Sequence, residues 1–151
     1  MQTQILDRAA AKSAAAQLVE ASPLHRTWDD AAFDRCIGAA IDVGQYLLLF
    51  GEGRPVAFLS WAWLSPAKAE EYLADTHCFE PADFVYAGPG AQLWFLDLIA
   101  PYGHAMRICR LAQTLVCPTA RERGIPVCRM IRQRDPRRVG VFSTAPRPVL
   151  V

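Results

Sequence analysis

Lysine is nearly missing from this chain: Lys12 and Lys68 are the only two in 151 residues, and every other basic side chain is Arg. A GC-rich genome, also generous with Ala and Pro, accounts for that preference, so residue type alone says nothing about a partner. Cysteine is sparse. Cys36, Cys78, Cys109, Cys117 and Cys128 are an odd set without a CxxC pair, which excludes a dense disulfide framework and points to reduced thiols and a cytoplasmic location. Long apolar runs are absent as well: the most apolar stretch, Pro55 to Leu64, falls far short of the ~18 to 20 residues that span a bilayer. Asp7, Arg8, Lys12 and Glu20 interrupt any signal-peptide core. Neither CxxC nor HExxH occurs, so no metal site is expected, and no resident cofactor either. Gly51-Glu-Gly53 and Gly88-Pro-Gly90 lack the rest of a phosphate-binding pattern. There is no internal repeat.

Net charge is almost missing too, at +1 from 16 basic and 15 acidic residues. The total hides a segregation. Residues 1–103 hold 6 Lys/Arg and 13 Asp/Glu, while residues 104–151 hold 10 Arg and 2 acids. Codon bias does not produce that division, and a basic segment suggests an acidic partner. Nucleic acid is disfavoured, because only Phe142 is interleaved with the arginines as a stacking platform.

What is present is a foldable chain, 52% hydrophobic and 21% charged. Roughly 100 to 200 residues make a domain, so one domain over residues 1–151 is expected. Helices are expected over residues 5–20 and 28–43. The first is interrupted at Ser22-Pro23; the second has Thr27 as N-cap, Asp30 completing a capping box, and Gly44 as its stop. Residues 45–50 and 55–63, separated by Gly51-Glu-Gly-Arg54, read as a hairpin. A helix over 66–75, a strand over 93–99, a helix over 105–122 that Pro118 ends or kinks, and strands over 127–131 and 139–142 complete the order ααββαβαββ. That order predicts an α/β (α+β) protein with a mixed sheet flanked by helices.

Two residues stand out chemically. His25 lies ahead of a helix N-terminus, where the macrodipole disfavours a second imidazole proton; a neutral ring can act as a base, and a histidine satisfied by a backbone carbonyl is the plainer alternative. Asp97 interrupts the strand Leu93 to Ile99, which is otherwise apolar on both faces. A carboxylate there needs a partner, either a histidine whose Nδ1–H it accepts or an Arg or turn. Cys36 is an alternative nucleophile for His25, although a buried helix thiol is the plainer reading. Trp28, Trp61, Trp63 and Trp94 either line an apolar groove for an acyl chain or fill the core.

Four blocks, Ser22-Pro-Leu-His-Arg-Thr-Trp28, Gln45-Tyr-Leu-Leu-Leu49, Pro55-Val-Ala-Phe-Leu-Ser-Trp-Ala-Trp-Leu-Ser65 and Trp94-Phe-Leu-Asp-Leu-Ile-Ala-Pro-Tyr-Gly103, occur in order. In order and approximate spacing they resemble the toxin-activating lysine acyltransferases, whose best-known members activate RTX hemolysins. The resemblance implies a fold like that of the N-acetyltransferase superfamily. It implies transfer of a fatty acyl group from acyl carrier protein to internal lysines of a protoxin, and it makes His25 and Asp97 the essential pair. Ser22, Arg26 and Trp61 are then substrate-binding candidates. Arg132, Arg137 and Arg138 are candidates for meeting an acidic carrier, and a homodimer is conceivable. The chain departs from the family pattern at Cys36, where an Asn is common nearby, at His104, where Asp or Asn is frequent, and in ending at Val151 without the C-terminal extension of the better-known members. Within this reading His25 is a general base or, alternatively, a covalent acyl acceptor. The competing reading is a non-catalytic module that holds an acidic partner through the Arg-rich segment.

Overall fold

The computed structural model describes residues 6–77, 79–132 and 135–146, with the side chains at positions 132 and 135–137 outside that description. Helix α1 (Arg8–Ala21) precedes a second helical stretch made of α2 (Asp30–Phe33), a π-helical turn (Asp34–Gly38) and α3 (Ala39–Asp42). The hairpin β1 (Tyr46–Gly51) and β2 (Arg54–Leu64) leads to α4 (Pro66–Ala74) and a 3-10 turn (Pro81–Phe84). Then come β3 (Gln92–Ile99), α5 (Ala105–Leu115), α6 (Cys117–Glu122), β4 (Val127–Arg132) and β5 (Asp135–Ser143). The expected order is the observed one, and the class is α+β with a mixed sheet flanked by helices.

Local chemistry explains most boundaries. Asp7 Oδ1 accepts the Ala10 N–H at 2.7 Å to start α1, and Pro23 holds Ser22 extended so that the helix stops. The second helical stretch starts later than the sequence suggests: its N-cap is Asp29, accepting from Ala32 N at 2.8 Å, and not Thr27. Thr27 is still inside a turn closed by Trp28 N–H on the His25 carbonyl, so the helix cannot begin there. Gly44, at φ 73°, ends the stretch with its own N–H on Ile41 O and the Gln45 N–H on Ala40 O, the paired bonds of a Schellman stop. The hairpin turns through Glu52 at φ 52° and Gly53 at φ 75°, the two positive angles of a type I′ turn. Pro118 divides the last helical region, with α5 ending at Leu115 and α6 restarting at Cys117.

The sheet order is β1-β2-β3-β4-β5, antiparallel throughout except for the parallel pair β3/β4, which α5 and α6 bridge. One face packs Leu48, Phe58 and Ile99 on α1 and the second helical stretch, and Ala62, Leu64, Trp94 and Leu96 on α3 and α4. The other face packs Leu59, Trp63, Leu93, Phe95 and Cys128 on α5 and α6.

The pairing of β2 with β3 is irregular at its centre. Leu59 pairs with Leu98, but Trp61 pairs with Phe95, so Leu96 and Asp97 together oppose Ser60. This bulge resets the alternation. Before it, Trp94 and Leu96 face α3 and α4 while Phe95 faces α5; after it, Leu98 faces α5 and Ile99 faces α1. Asp97 therefore shares the face of Ile99, two residues on, instead of the α5 face that strict alternation from Leu96 assigns it. Pairing between β3 and β4 covers Leu93–Cys128, Trp94–Arg129 and Phe95–Met130, and ends where the bulge begins.

Candidate active site

The turn after α1 is built around Ser22. Its carbonyl accepts N–H bonds from His25 at 3.1 Å and Arg26 at 2.9 Å, and its hydroxyl meets His25 Nδ1 at 2.7 Å. Both side chains are buried. With Nδ1 engaged, Nε2 is the nitrogen facing the sheet, and it lies 4.0 Å from Asp97 Oδ1. The carboxyl thus faces Nε2, whereas the sequence suggested Nδ1. The bulged backbone is held in turn by the Asp97 N–H, which donates to Ser60 Oγ at 3.2 Å. Against His25 lies the Trp28 ring, edge-on at 4.9 Å between centroids.

The two titratable groups are pushed in opposite directions, each toward its neutral form. Burial lowers His25 to about 4, helped by the nearby charge of His77. Desolvation, rather than the helix macrodipole expected from the sequence, is the main cause. Burial raises the Asp97 carboxyl to about 7. Near neutral pH the site holds a neutral imidazole beside a carboxyl close to half-ionised, an arrangement able to take up one proton.

The other sequence candidates are dispersed. Arg26 is exposed in the same turn, one residue from His25. Trp61 packs with the core on the α5 face, away from the face that carries Ser22, His25 and Asp97. Arg138 is exposed on β5, and the side chains of Arg132 and Arg137 lie outside the described residues. Part of the Arg-rich segment serves the fold: the Arg123 guanidinium sits between Trp63 and Tyr86, 4.4 and 4.2 Å from their ring centroids, and Arg121 donates to the Thr144 carbonyl. Cys36 is buried, its thiol directed at the Thr76 carbonyl at 3.8 Å, and His104 stands at the start of α5 without capping it. An apolar cavity of about 200 Å³, lined by Leu59, Phe95, Met106, Cys109, Met130 and Phe142 among others, opens on the α5 face. No helix among the described residues is long and apolar enough to cross a membrane.

Ser60 was not singled out from the sequence, although it is the one hydroxyl inside the apolar run Pro55 to Trp63 and is fully buried. A buried hydroxyl needs a partner, so its position in that run was a usable signal.

Fold and site define a class: an α+β protein in which a buried histidine meets a half-buried aspartate set at the bulge of its central strand. The chain belongs to the RTX toxin acyltransferase family, whose model matches residues 7–139. It is 42% identical over 83 residues to the leukotoxin-activating lysine-acyltransferase LtxC of Aggregatibacter actinomycetemcomitans, covering 55% of this chain and 48% of the relative. It is 37% identical over 82 residues to the RTX-II toxin-activating lysine-acyltransferase ApxIIC of Actinobacillus pleuropneumoniae, covering 54% and 49%. To the protein-lysine myristoyltransferase HlyC of Escherichia coli it is 40% identical over 82 residues, covering 54% and 46%. The chain thus spans about half the length of the curated relatives it matches.

Proposed function

We propose that this protein transfers a fatty acyl group from acyl carrier protein to the ε-amino group of internal lysines in an RTX-type protoxin. Family membership supports the reaction class. The observation that carries the reading is the approach of His25 Nε2 to Asp97 Oδ1, with the imidazole held neutral and the carboxyl raised to about 7.

An acyl thioester is already activated, whereas a lysine amine with a reference pKa near 10.4 is about 99.9% protonated at pH 7. Removing that proton is the enzyme's main task. A lysine nitrogen placed about 2.9 Å from both Nε2 and Oδ1 spans the 4.0 Å between them. His25 takes the proton through Nε2, and the Asp97 carboxylate supplies the charge that stabilises the resulting imidazolium, offsetting the penalty of burial. Ser22 keeps the ring oriented through Nδ1. The free amine then attacks the thioester carbonyl: the N–C bond forms, the C–S bond breaks, and the second amine proton leaves with the carrier's thiol. Arg138 and its neighbours in the basic segment steer the acidic carrier, a rate effect that weakens with salt.

The test is to incubate the protein with acyl carrier protein charged with a fatty acyl group and with an RTX-type protoxin, and to locate acylated lysine by mass spectrometry. Lysine product from the wild type, and none from folded His25→Gln or Asp97→Asn, is the expected result. A salt-sensitive complex with the charged carrier that never yields acyl-lysine overturns the reading in favour of a binding module.

A further inference from the structure

Trp28 is the centre of a three-ring cluster with His25 and His77. Its indole meets the His25 imidazole at 4.9 Å and 63° and the His77 imidazole at 4.7 Å and 64°, both edge-on. The same residue closes the His25 turn, its N–H donating to the His25 carbonyl at 2.9 Å. His77 comes from the segment after α4 and is held there locally. Its N–H donates to Asp75 Oδ1 at 2.9 Å, and the preceding carbonyl, that of Thr76, faces the buried Cys36 thiol. A segment some fifty residues from His25 along the chain is thereby laid against the ring that borders it.

We infer that Trp28 is a positioning residue for His25, clamped from outside by His77, and that this stack holds the imidazole at Asp97 and keeps water from it. Ser22 fixes one atom of the imidazole, Nδ1, which leaves the ring free to pivot about that bond. An edge-on aromatic neighbour removes the pivot and covers ring surface that water would otherwise solvate. A flat, rigid indole does this at little entropic cost, and the edge-on contact with a second imidazole restrains the indole in turn. The titratable groups that act on His25 among the described residues are Asp97, across Nε2, and His77, which touches the same indole. When protonated, His77 repels a proton from His25, so clamp and charge act in the same direction. That the stack serves catalysis rests on His25 being the base of the proposed reaction; that it shapes His25 does not.

The experiment follows the His25 ring by NMR across pH 3.5 to 8, without substrate, in the wild type and in Trp28→Ala, Trp28→Phe, His77→Gln and His77→Ala. Acyl transfer against pH is measured on the same proteins. Trp28→Ala moves the His25 titration upward from about 4 toward its ordinary value of 6.5, and the His77 variants move it part of the way. Trp28→Phe, which retains an aromatic edge, restores most of the wild-type behaviour. Turnover in Trp28→Ala falls roughly tenfold to a hundredfold with KM for the acyl donor nearly unchanged, as misplacement of a reacting group requires. Below the limb that Asp97 sets near 7, its rate profile gains a second proton dependence from the ring. A purely structural tryptophan would lower the melting temperature and leave titration and profile in place; that result in a folded Trp28→Ala overturns the inference. Should Trp28→Ala not fold, an unchanged His25 titration in both His77 variants overturns it instead. A shifted titration in a protein that never acylates lysine sinks the proposed function and leaves the stack's role standing.

Discussion

The two faces of the central strand are made from one sequence and do different work. On the α5 face, Leu93, Phe95 and Leu98 pack with Ile108, Ala112 and Val116, and the polar contribution is marginal. On the α1 face, the same eight-residue strand delivers Asp97 to a buried histidine. The bulge opposite Ser60 makes the difference, because it changes which way Asp97 points without removing an apolar residue from either core. A change on the α5 face is therefore felt as packing, whereas a change at Asp97 on the α1 face is felt at the histidine.

The largest effect expected from this contrast is on the α1 face. His25→Gln or Asp97→Asn should lower acyl transfer by about 10² to 10⁴-fold, the usual contribution of a positioned acid or base, with circular dichroism unchanged. Phe95→Ala, on the α5 face, should instead cost about 3 to 5 kcal/mol of stability, read from denaturant midpoints, and leave the shape of the rate–pH profile intact. If Phe95→Ala reshaped that profile, the faces would not be separable.

Stability against pH separates the members of the pair from each other. His25 drops from 6.5 to about 4, so the unfolded chain binds the extra proton between those values and stability rises with pH there. Asp97 rises from 3.8 to about 7, so the native state binds the extra proton and stability falls with pH across that window. Each amounts to something on the order of 3 to 4 kcal/mol, and in the wild type they largely cancel. Asp97→Asn should expose the rising slope between about pH 4 and 6.5, and His25→Gln the falling one. Urea titrations at several pH values check both signs.

Smaller effects test the supports. Ser60→Ala strips the Asp97 N–H of its acceptor and should cost about 1 to 3 kcal/mol together with a loss of activity. Arg123→Ala removes a guanidinium sandwiched by Trp63 and Tyr86 and should cost about 0.5 to 1 kcal/mol with no effect on turnover at saturating donor. A large activity loss there would assign Arg123 to the carrier and not to the fold.

The element order was legible in the sequence because local signals set it: Ser22-Pro23, Gly44, Glu52-Gly53 and Pro118 each act within a few residues. The second helix was placed early because Thr27 and Asp30 mimic a capping box, and only the turn that Trp28 closes on His25 moves the cap to Asp29. His25 and Asp97 were legible as residue types in unusual places, and their motif context tied them to one family. The geometry between them was not legible. A bulge is a register event between two strands, and neither strand's own pattern announces it. Nor did the sequence place Trp61 on the far face, or bring His77 back to Trp28, because both depend on how distant segments pack.

In the proposed reaction the bulge sets a carboxyl of near-neutral pKa beside a neutral imidazole to take a proton from lysine. The rate of lysine acylation against pH, at limiting charged carrier and protoxin, tests this most directly. The expected result is a rise with an apparent value near 7, set by Asp97, that disappears in Asp97→Asn. A rate that climbs only with the lysine's own ionisation near 10, identically in wild type and Asp97→Asn, would contradict it.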